Sequence, residues 1–449
     1  MTTSWVSGGT ASSGFVPTGK VTPGTVIKGT EAPGARIARA RRRRGLSQSV
    51  LAGLVGRSES WLSQVERGKR RVDSHEVLLR MAEVLHMDVA DLADSPVPRP
   101  RIAPGADIRR AAGPGSRTGT GAGEPLTGPA AAVERAMVCY DALTAPAEPD
   151  EREAGAAHLH EMARAAYGRY QATRYDDVGQ MLPGLIRRTE AASLAAGADD
   201  LDMCGVRVMV YDTAAALLKR VGEPTLAWTA ADRAMHSARQ SGRPVLVALC
   251  AWRLSYVLAG RKHPAAALDL ALSAANTLEP TLGTADPDSR GVYGALHLAA
   301  ATAAAKIFDR AATASLLAKA RAIADQTGNG NWLGTAFGPA NVAIHSISTA
   351  LQLGDARTAI DAGETLDVAA LPPECTGRRA QLSIDLARAY SMRRQDAAAV
   401  HRLLEAERVS PELVRRDAAT RAVLVTLLHR EHQPSTPELR PLARRVGVI

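Results

Sequence analysis

The feature that most limits what this chain can become is a turn that keeps returning. Similar punctuation occurs at Val221-Gly222-Glu223-Pro224, Ala259-Gly260-Arg261, Leu353-Gly354-Asp355 and Arg394-Gln395-Asp396, with a glycine-free counterpart at Phe308-Asp309-Arg310. Small residues, then leucine or isoleucine, follow: Ala227, Ala267-Leu268, Ala359-Ile360, Ala399 ahead of Leu403-Leu404, and Leu316-Leu317 with Ala320. Pro280, Pro372 and Pro411 close several of the units. Neighbouring turns lie about 40 to 50 residues apart, the length of a two-helix hairpin. Small side chains let paired helices approach closely. A lone hairpin cannot cover its own apolar side, so such units must stack.

Composition points the same way. Hydrophobic residues make up 46% of the 449, but aromatics only 4%, so a core must be built from Ala, Leu and Val. Ala and Leu are the best helix formers, whereas strands favour β-branched and aromatic side chains. An almost all-α protein is expected. From residue 130 onward the chain resembles a degenerate tetratricopeptide-repeat solenoid over roughly 300 residues, with weak individual signatures and a drifting period. An irregular helical array is the alternative.

Four segments follow: a Gly/Ser/Thr-rich leader over residues 1–33, a densely periodic block at 34–94, a Pro/Gly-rich linker at 95–129, and the repeat region at 130–449. Leader and linker have too few large apolar side chains to fold. The leader lacks the apolar core of a signal peptide. The glycines at Gly119, Gly121 and Gly123 follow no strand and open no helix, so a nucleotide-binding loop is not expected. No apolar run approaches the roughly 18 residues of a membrane span. Cys139, Cys204, Cys250 and Cys375 are far apart with no CxxC pair, which suits free thiols in a reducing cytoplasm rather than disulfides or zinc.

Charge is concentrated at one place. Eleven basic residues between positions 35 and 71 face only Glu59 and Glu66, so this short segment carries the whole net charge of +9. Such a confined excess is an electrostatic footprint for a polyanion.

Five helices are expected there. The first covers residues 35–44 and stops at Gly45; the second starts at the N-cap Ser47 and breaks at Gly56; the third follows the N-cap Ser58 and ends before Gly68. A fourth opens at Asp73 with Glu76 three residues on, a capping-box pattern, and a short fifth lies at 89–92. The string Leu46-Ser47-Gln48, Leu51-Ala52, Gly56, Ser58 and Leu62-Ser63-Gln64-Val65-Glu66-Arg67-Gly68 resembles the phage-repressor/Cro-type helix-turn-helix, also called the xenobiotic-response-element (XRE) family.

Leu62 and Val65, three apart, share one face of the third helix, leaving Glu59, Ser60 and Ser63 opposite, with Gln64 at the border. In the resembled fold this helix enters the major groove with its N-terminal residues at the base edges. The resemblance thus implies base contacts from Ser58, Glu59, Ser60, Ser63 and Gln64. Glu59 could accept from a cytosine amino group, while the serines would read bases less strictly than Arg or Asn would. Phosphate contacts are implied for Arg42, Arg43, Arg44, Arg67, Lys69, Arg70 and Arg71. Gln48 matches a position that anchors a phosphate or braces the third helix. Arg41 and Glu66 match a structural pair tying the first helix to the end of the third. Arg57 and Trp61 depart from the family pattern: Arg57 replaces a small apolar residue, and bulky Trp61 either packs as core or wedges against a DNA strand.

A repeat array behind such a head resembles two-part transcriptional regulators of actinobacterial XRE–tetratricopeptide type, in which the array senses a ligand and mediates dimerisation. The expected partners are double-stranded DNA, a second copy of the chain, and a peptide, small-molecule or protein effector; no membrane partner is expected. Arrays of this kind present a concave groove. Scarce aromatics and nearby polar residues nominate Arg207, Tyr211, Trp252, Arg253, Trp332, Asn341 and His345 for it, with core filling as the competing reading. Nothing resembles a catalytic or metal constellation, so neither an enzyme nor a cofactor is expected. The rival reading is an interaction scaffold tethered nonspecifically to DNA by its basic head.

Overall fold

The computed structural model describes residues 33–70, 72, 75–85, 128–138, 155–197, 200–282, 286–431 and 435–449. Among the described residues are twenty α-helices and no strand, as the Ala/Leu-rich composition requires. All of the expected leader except Pro33, which begins α1, nearly all of the expected linker and the short helix at 89–92 lie outside them.

The head is built from α1 (Pro33–Arg43), α2 (Gln48–Leu54), α3 (Glu59–Glu66) and α4 (His75–Leu85). Ile37, Leu46, Leu51, Val55, Leu62, Val65, Val77, Met81 and Leu85 form its closed core. A lone helix α5 (Pro129–Val138) then leads into the array. Hairpins follow as α6 (Ala156–Gln171) with α7 (Tyr175–Ala196), α8 (Leu201–Arg220) with α9 (Pro224–Gln240), and α10 (Pro244–Gly260) with α11 (Pro264–Leu278). Three more are α12 (Pro287–Lys306) with α13 (Arg310–Thr327), α14 (Pro339–Gln352) with α15 (Ala356–Glu364), and α16 (Thr376–Met392) with α17 (Asp396–Val409). Helices α18 (Pro411–Arg416), α19 (Ala418–Leu428) and α20 (Leu439–Val446) close the C-terminal end.

One backbone device makes all six hairpins. Two residues past the first helix of each pair, the chain enters the left-handed region: Thr173 (φ 61°), Gly222 (89°), Lys262 (68°), Phe308 (62°), Gly354 (85°) and Arg394 (60°). The next residue's N–H then donates to the carbonyl three residues before the cap, as in Glu223 to Leu218 (2.9 Å), Asp355 to Ala350 (2.8 Å) and Gln395 to Tyr390 (2.9 Å). This Schellman closure satisfies carbonyls that the helix end would otherwise orphan. Five of the six turns coincide with those expected from sequence.

The small residues that follow the turns are the close-packing points: Ala227, Ala267, Ala320, Ala359 and Ala399 are all fully buried. Each first helix (α6, α8, α10, α12, α14, α16) touches the next first helix, while each second helix packs mainly on its own partner and the following first helix. The first helices therefore form the inner layer. Glycine admits large side chains into this layer: a Cβ on Gly294 would lie 2.0 Å from the Phe337 ring, and one on Gly291 would lie 2.3 Å from Trp332 Cβ.

The array also closes on itself. Ser410 Oγ donates to Thr173 Oγ1 (2.7 Å), and the Asp176 N–H donates to Glu412 (3.1 Å), across more than two hundred residues of chain. Arg416 pairs with Asp176, and Arg220 lies 3.8 Å from Asp417. The first hairpin thus seats against the last, so the inner layer is enclosed rather than spread as an open groove. The head touches the array at two of its turns: Phe308 packs on the head core, and a Cβ on Gly354 would lie 3.4 Å from Val50 Cγ1 of α2. No helix is long and apolar enough to cross a membrane among the described residues.

The turn geometry yields a paired prediction. Gly222 has open space around a would-be Cβ, so only its positive φ resists a side chain. Gly222→Ala should cost about 1 kcal/mol in urea unfolding, and the exposed Lys262→Gly should be neutral or stabilising by up to about 1 kcal/mol. Equal losses in both variants would contradict the shared turn.

Candidate nucleic-acid interface

Helices α2 and α3 are set by their caps. Ser47 accepts from the Val50 N–H (3.2 Å) and Ser58 accepts from the Trp61 N–H (3.2 Å). Each removes one orphan donor and fixes where α2 and α3 begin. Gly45, Gly56 and Gly68, at φ of 64°, 68° and 70°, end α1, α2 and α3 as the sequence suggested. The turn between α2 and α3 is thereby short and rigid.

A charged brace fixes α3 in space. The Arg41 guanidinium forks onto Glu66, with Nη2 donating to Oε2 at 2.9 Å, and its Nη1 donates to the Leu46 carbonyl at 2.8 Å. Gln48 Nε2 adds a third donor to Glu66 Oε2 (2.7 Å). Three helices meet at this one carboxylate. Burial by itself would raise the Glu66 pKa, but the hydrogen bonds from Arg41 and Gln48 and the neighbouring positive charge hold it below the ordinary glutamate range. The expected Arg41–Glu66 pair is present. Gln48, nominated for phosphate or brace, has its amide on the brace.

With Leu62 and Val65 buried against α1 and α2, the N-terminal part of α3 faces out. Glu59 and Ser60 are exposed, while Ser63 and Gln64 are half-buried at the border. Ser58 is exposed too, but its oxygen is engaged as the cap. Arg67 folds back along the helix, donating to Ser63 Oγ (2.7 Å) and to the Ser63 carbonyl (3.1 Å). Ser63 and Arg67 are thus joined by hydrogen bonds, with exposed Ser60 one turn before them on the same face. Trp61 packs partly on the head core, and the Arg57 guanidinium stands 5.6 Å from its ring centroid.

The cationic surroundings are as the charge map required. Arg42, Lys69 and Arg70 are exposed; Arg44 is half-buried, and burial lowers its pKa. The side chain of Arg43 and all of Arg71, both nominated for phosphate, lie outside the described residues. One residue that sequence reasoning missed is Gly34. A Cβ there would fall 2.3 Å from the Val65 carbonyl and 2.9 Å from that of Glu66, so only glycine lets the start of α1 lie on the end of α3. No local signal in the sequence marks it.

The seven residues nominated for the array's groove are mostly engaged elsewhere. Arg207 forks onto Glu190 (3.1 and 3.3 Å), and Arg253 forks onto Asp212 (2.9 and 2.8 Å) and reaches the Tyr167 hydroxyl (3.2 Å). Burial opposes the charge on Arg253, yet Asp212 and Tyr167 keep it firmly protonated. Tyr211 and Trp252 are buried in the main core, and half-buried Trp332 covers Gly291 and Gly330. Asn341 is buried with its Oδ1 unpartnered. His345 is buried beside Thr302 (3.3 Å), and burial together with Arg378 pushes its pKa down to about 3. These side chains fill and brace the inner layer.

The brace generates a stability prediction. Because the head is small and thin-walled, removing one partner should cost about 2 kcal/mol rather than the 3–5 typical of a deep-core pair. Glu66→Gln should loosen the head by that amount at neutral pH. Since folding depresses the Glu66 pKa, its contribution is present above the ordinary glutamate pKa and disappears as pH falls through the folded value. Hydrogen exchange of α3 amides should therefore converge for native and E66Q chains in acid; a constant difference across pH would contradict the brace.

Residues 34–94 match a family model described as a helix-turn-helix domain. No curated protein matches the chain. Among solved structures, the crystal structure of Bacillus thuringiensis PlcR in complex with the peptide PapR7 and DNA is similar at 12% identity and a TM-score of 0.34, over 82% of this chain and 98% of that one. A likeness that distant carries no weight, so the assignment rests on the domain match and on the caps, brace and turn glycines of the head. Residues 34–94 are a helix-turn-helix domain, carried ahead of an array of helical hairpins.

Proposed function

We propose that this chain is a sequence-selective DNA-binding transcriptional regulator of the XRE type. Helix α3 reads the major groove, and the helical array holds a homodimer and takes an effector. The observation that carries the reading is the outward N-terminal face of α3, with Glu59, Ser60 and Ser63 available beside exposed cations on a head braced at Glu66. Only groups held in a fixed frame can discriminate bases. In this reading the exposed Arg42, Lys69 and Arg70 meet phosphates, which position the head without reading sequence. As a dimer, the chain would bind inverted half-sites about one helical turn apart.

The contact of Phe308 and Gly354 with the head supplies a route between the two parts. A change in the spacing of those two turns would tilt α2 and with it α3. Effector binding in the array would then alter DNA affinity.

Fluorescence anisotropy of the full chain on an operator, across a salt series, tests the charge assignment. Each of Arg42→Ala, Lys69→Ala and Arg70→Ala should weaken all duplexes alike and flatten the log-salt slope by about one unit. Glu59→Gln should instead change preference at one base position while leaving the slope alone. Unchanged salt slopes in the triple variant would dismiss the phosphate contacts, and an unchanged base preference in E59Q would dismiss that reading contact.

A further inference from the structure

Because the first helices stack side by side, the turns that reverse each hairpin lie in a row along one end of the array, and the middle of that row carries the head. Phe308 packs on the head core, and Gly354 stands against Val50 and Leu54 of α2. Arg310 Nη2 donates to the Leu353 carbonyl (2.6 Å), which ties these two turns together. Leu54 comes only four residues before Ser58, the cap of α3. The reading end of α3 therefore lies within about 14 Å of the contact at Leu54, the reach of four extended residues. A duplex seated on that end passes alongside the edge.

The turns on either side of the head are cationic. Lys262 comes one hairpin before Phe308, and Arg393 with Arg394 one hairpin after Gly354. Packed helices stand 8–10 Å apart, so each of these turns is about 10 Å from one that touches the head. Lys262, Arg393 and Arg394 are exposed and make no side-chain hydrogen bond or ion pair among the described residues. The acids of the same row are engaged: Asp309 and Asp355 cap α13 and α15, and Asp396 pairs with Arg430 at 2.7 Å. The backbone marks the same residues. Glycine is the unstrained choice at the left-handed position of a hairpin turn, yet Thr173, Lys262, Phe308 and Arg394 stand there. Thr173 accepts from Ser410 where the array closes, and Phe308 seats the head. Lys262 and Arg394 have no such partner, and both are cations beside the head.

We propose that this edge of the array is a second DNA contact, in which Lys262, Arg393 and Arg394 take backbone phosphates flanking the base pairs that α3 reads. The inference rests on the reading of α3 as a groove helix. Contacts to phosphate add affinity and fix register without reading sequence. Array and head then grip a longer stretch of duplex than the head alone, and the array holds the head at a set angle to it. Side chains kept in strained backbone at the tips of two turns have a use in this arrangement: they carry charge to the outermost point of the edge.

The test uses the full chain and a mixed-sequence duplex of about 40 base pairs, roughly four helical turns, followed by anisotropy across a salt series. Lys262→Gly and Arg394→Gly relieve backbone strain, so the melting temperature should hold or rise in both. Each should nevertheless lower affinity about fivefold at about 0.1 M salt and flatten the log-salt slope by about one unit. Arg393→Ala should weaken binding likewise. Arg243→Ala, which removes an exposed cation from a turn at the opposite end of the array, should change nothing. Unchanged affinity and slope in the combined Lys262→Gly, Arg393→Ala and Arg394→Gly variant would overturn the proposal while leaving the head's DNA contacts standing, and so would an equal loss from Arg243→Ala. Losses at the edge with no effect of Arg42→Ala, Lys69→Ala or Glu59→Gln would instead defeat the reading of the head and leave the edge contact in place. No binding of the duplex by the native chain would defeat both.

Discussion

The chain reverses direction again and again by the same means, a single residue held at positive φ just past a helix end. Gly45, Gly56 and Gly68 do this in the head, and Thr173, Gly222, Lys262, Phe308, Gly354 and Arg394 in the array. Each closure lets an Ala/Leu helix fold back on its predecessor at close range, and alanines at the crossing points make that range short. Everything else is arranged on this scaffold: the outward face of α3 and the enclosed inner layer. The Phe308 turn combines both uses. A bulky residue in left-handed backbone is strained, and here that residue's side chain is the one that packs against the head.

Electrostatics separates the two halves by role. In the head, Glu66 does structural work, gathering Arg41 and Gln48, while Arg42, Lys69 and Arg70 stay exposed. In the array, acids and bases mostly neutralise one another across helices, as in Arg253–Asp212, Arg207–Glu190 and the ring-closing Arg416–Asp176. A buried pair contributes modestly to stability but fixes which helices meet.

Much of the head was legible in the sequence because its signals are local. Serine caps, turn glycines and the Leu62/Val65 spacing each fix a boundary or a face without knowledge of the rest, and the match over residues 34–94 agrees with them. The hairpins were legible for the same reason wherever glycine marked the turn. Thr173 was not flagged, since neither threonine nor lysine nor arginine announces a left-handed backbone; Lys262 and Arg394 were reached through their neighbours. Closure of the array was invisible, because Thr173 meets Ser410 only after six hairpins have accumulated their rotation. The groove candidates were chosen for rarity and polarity, yet aromatic rarity in an alanine-rich core also marks gap filling, which is what Phe337 and Trp332 do over Gly294 and Gly291.

Selection of duplexes from a random pool by the full-length chain, at moderate ionic strength, addresses the helix-turn-helix reading most directly. A recurring motif is expected, with two inverted half-sites about one helical turn apart, weakened but not relocated when exposed arginines of the head are neutralised. Recovery of sequences no different from the starting pool, despite retained affinity for bulk DNA, would show that α3 does not discriminate bases.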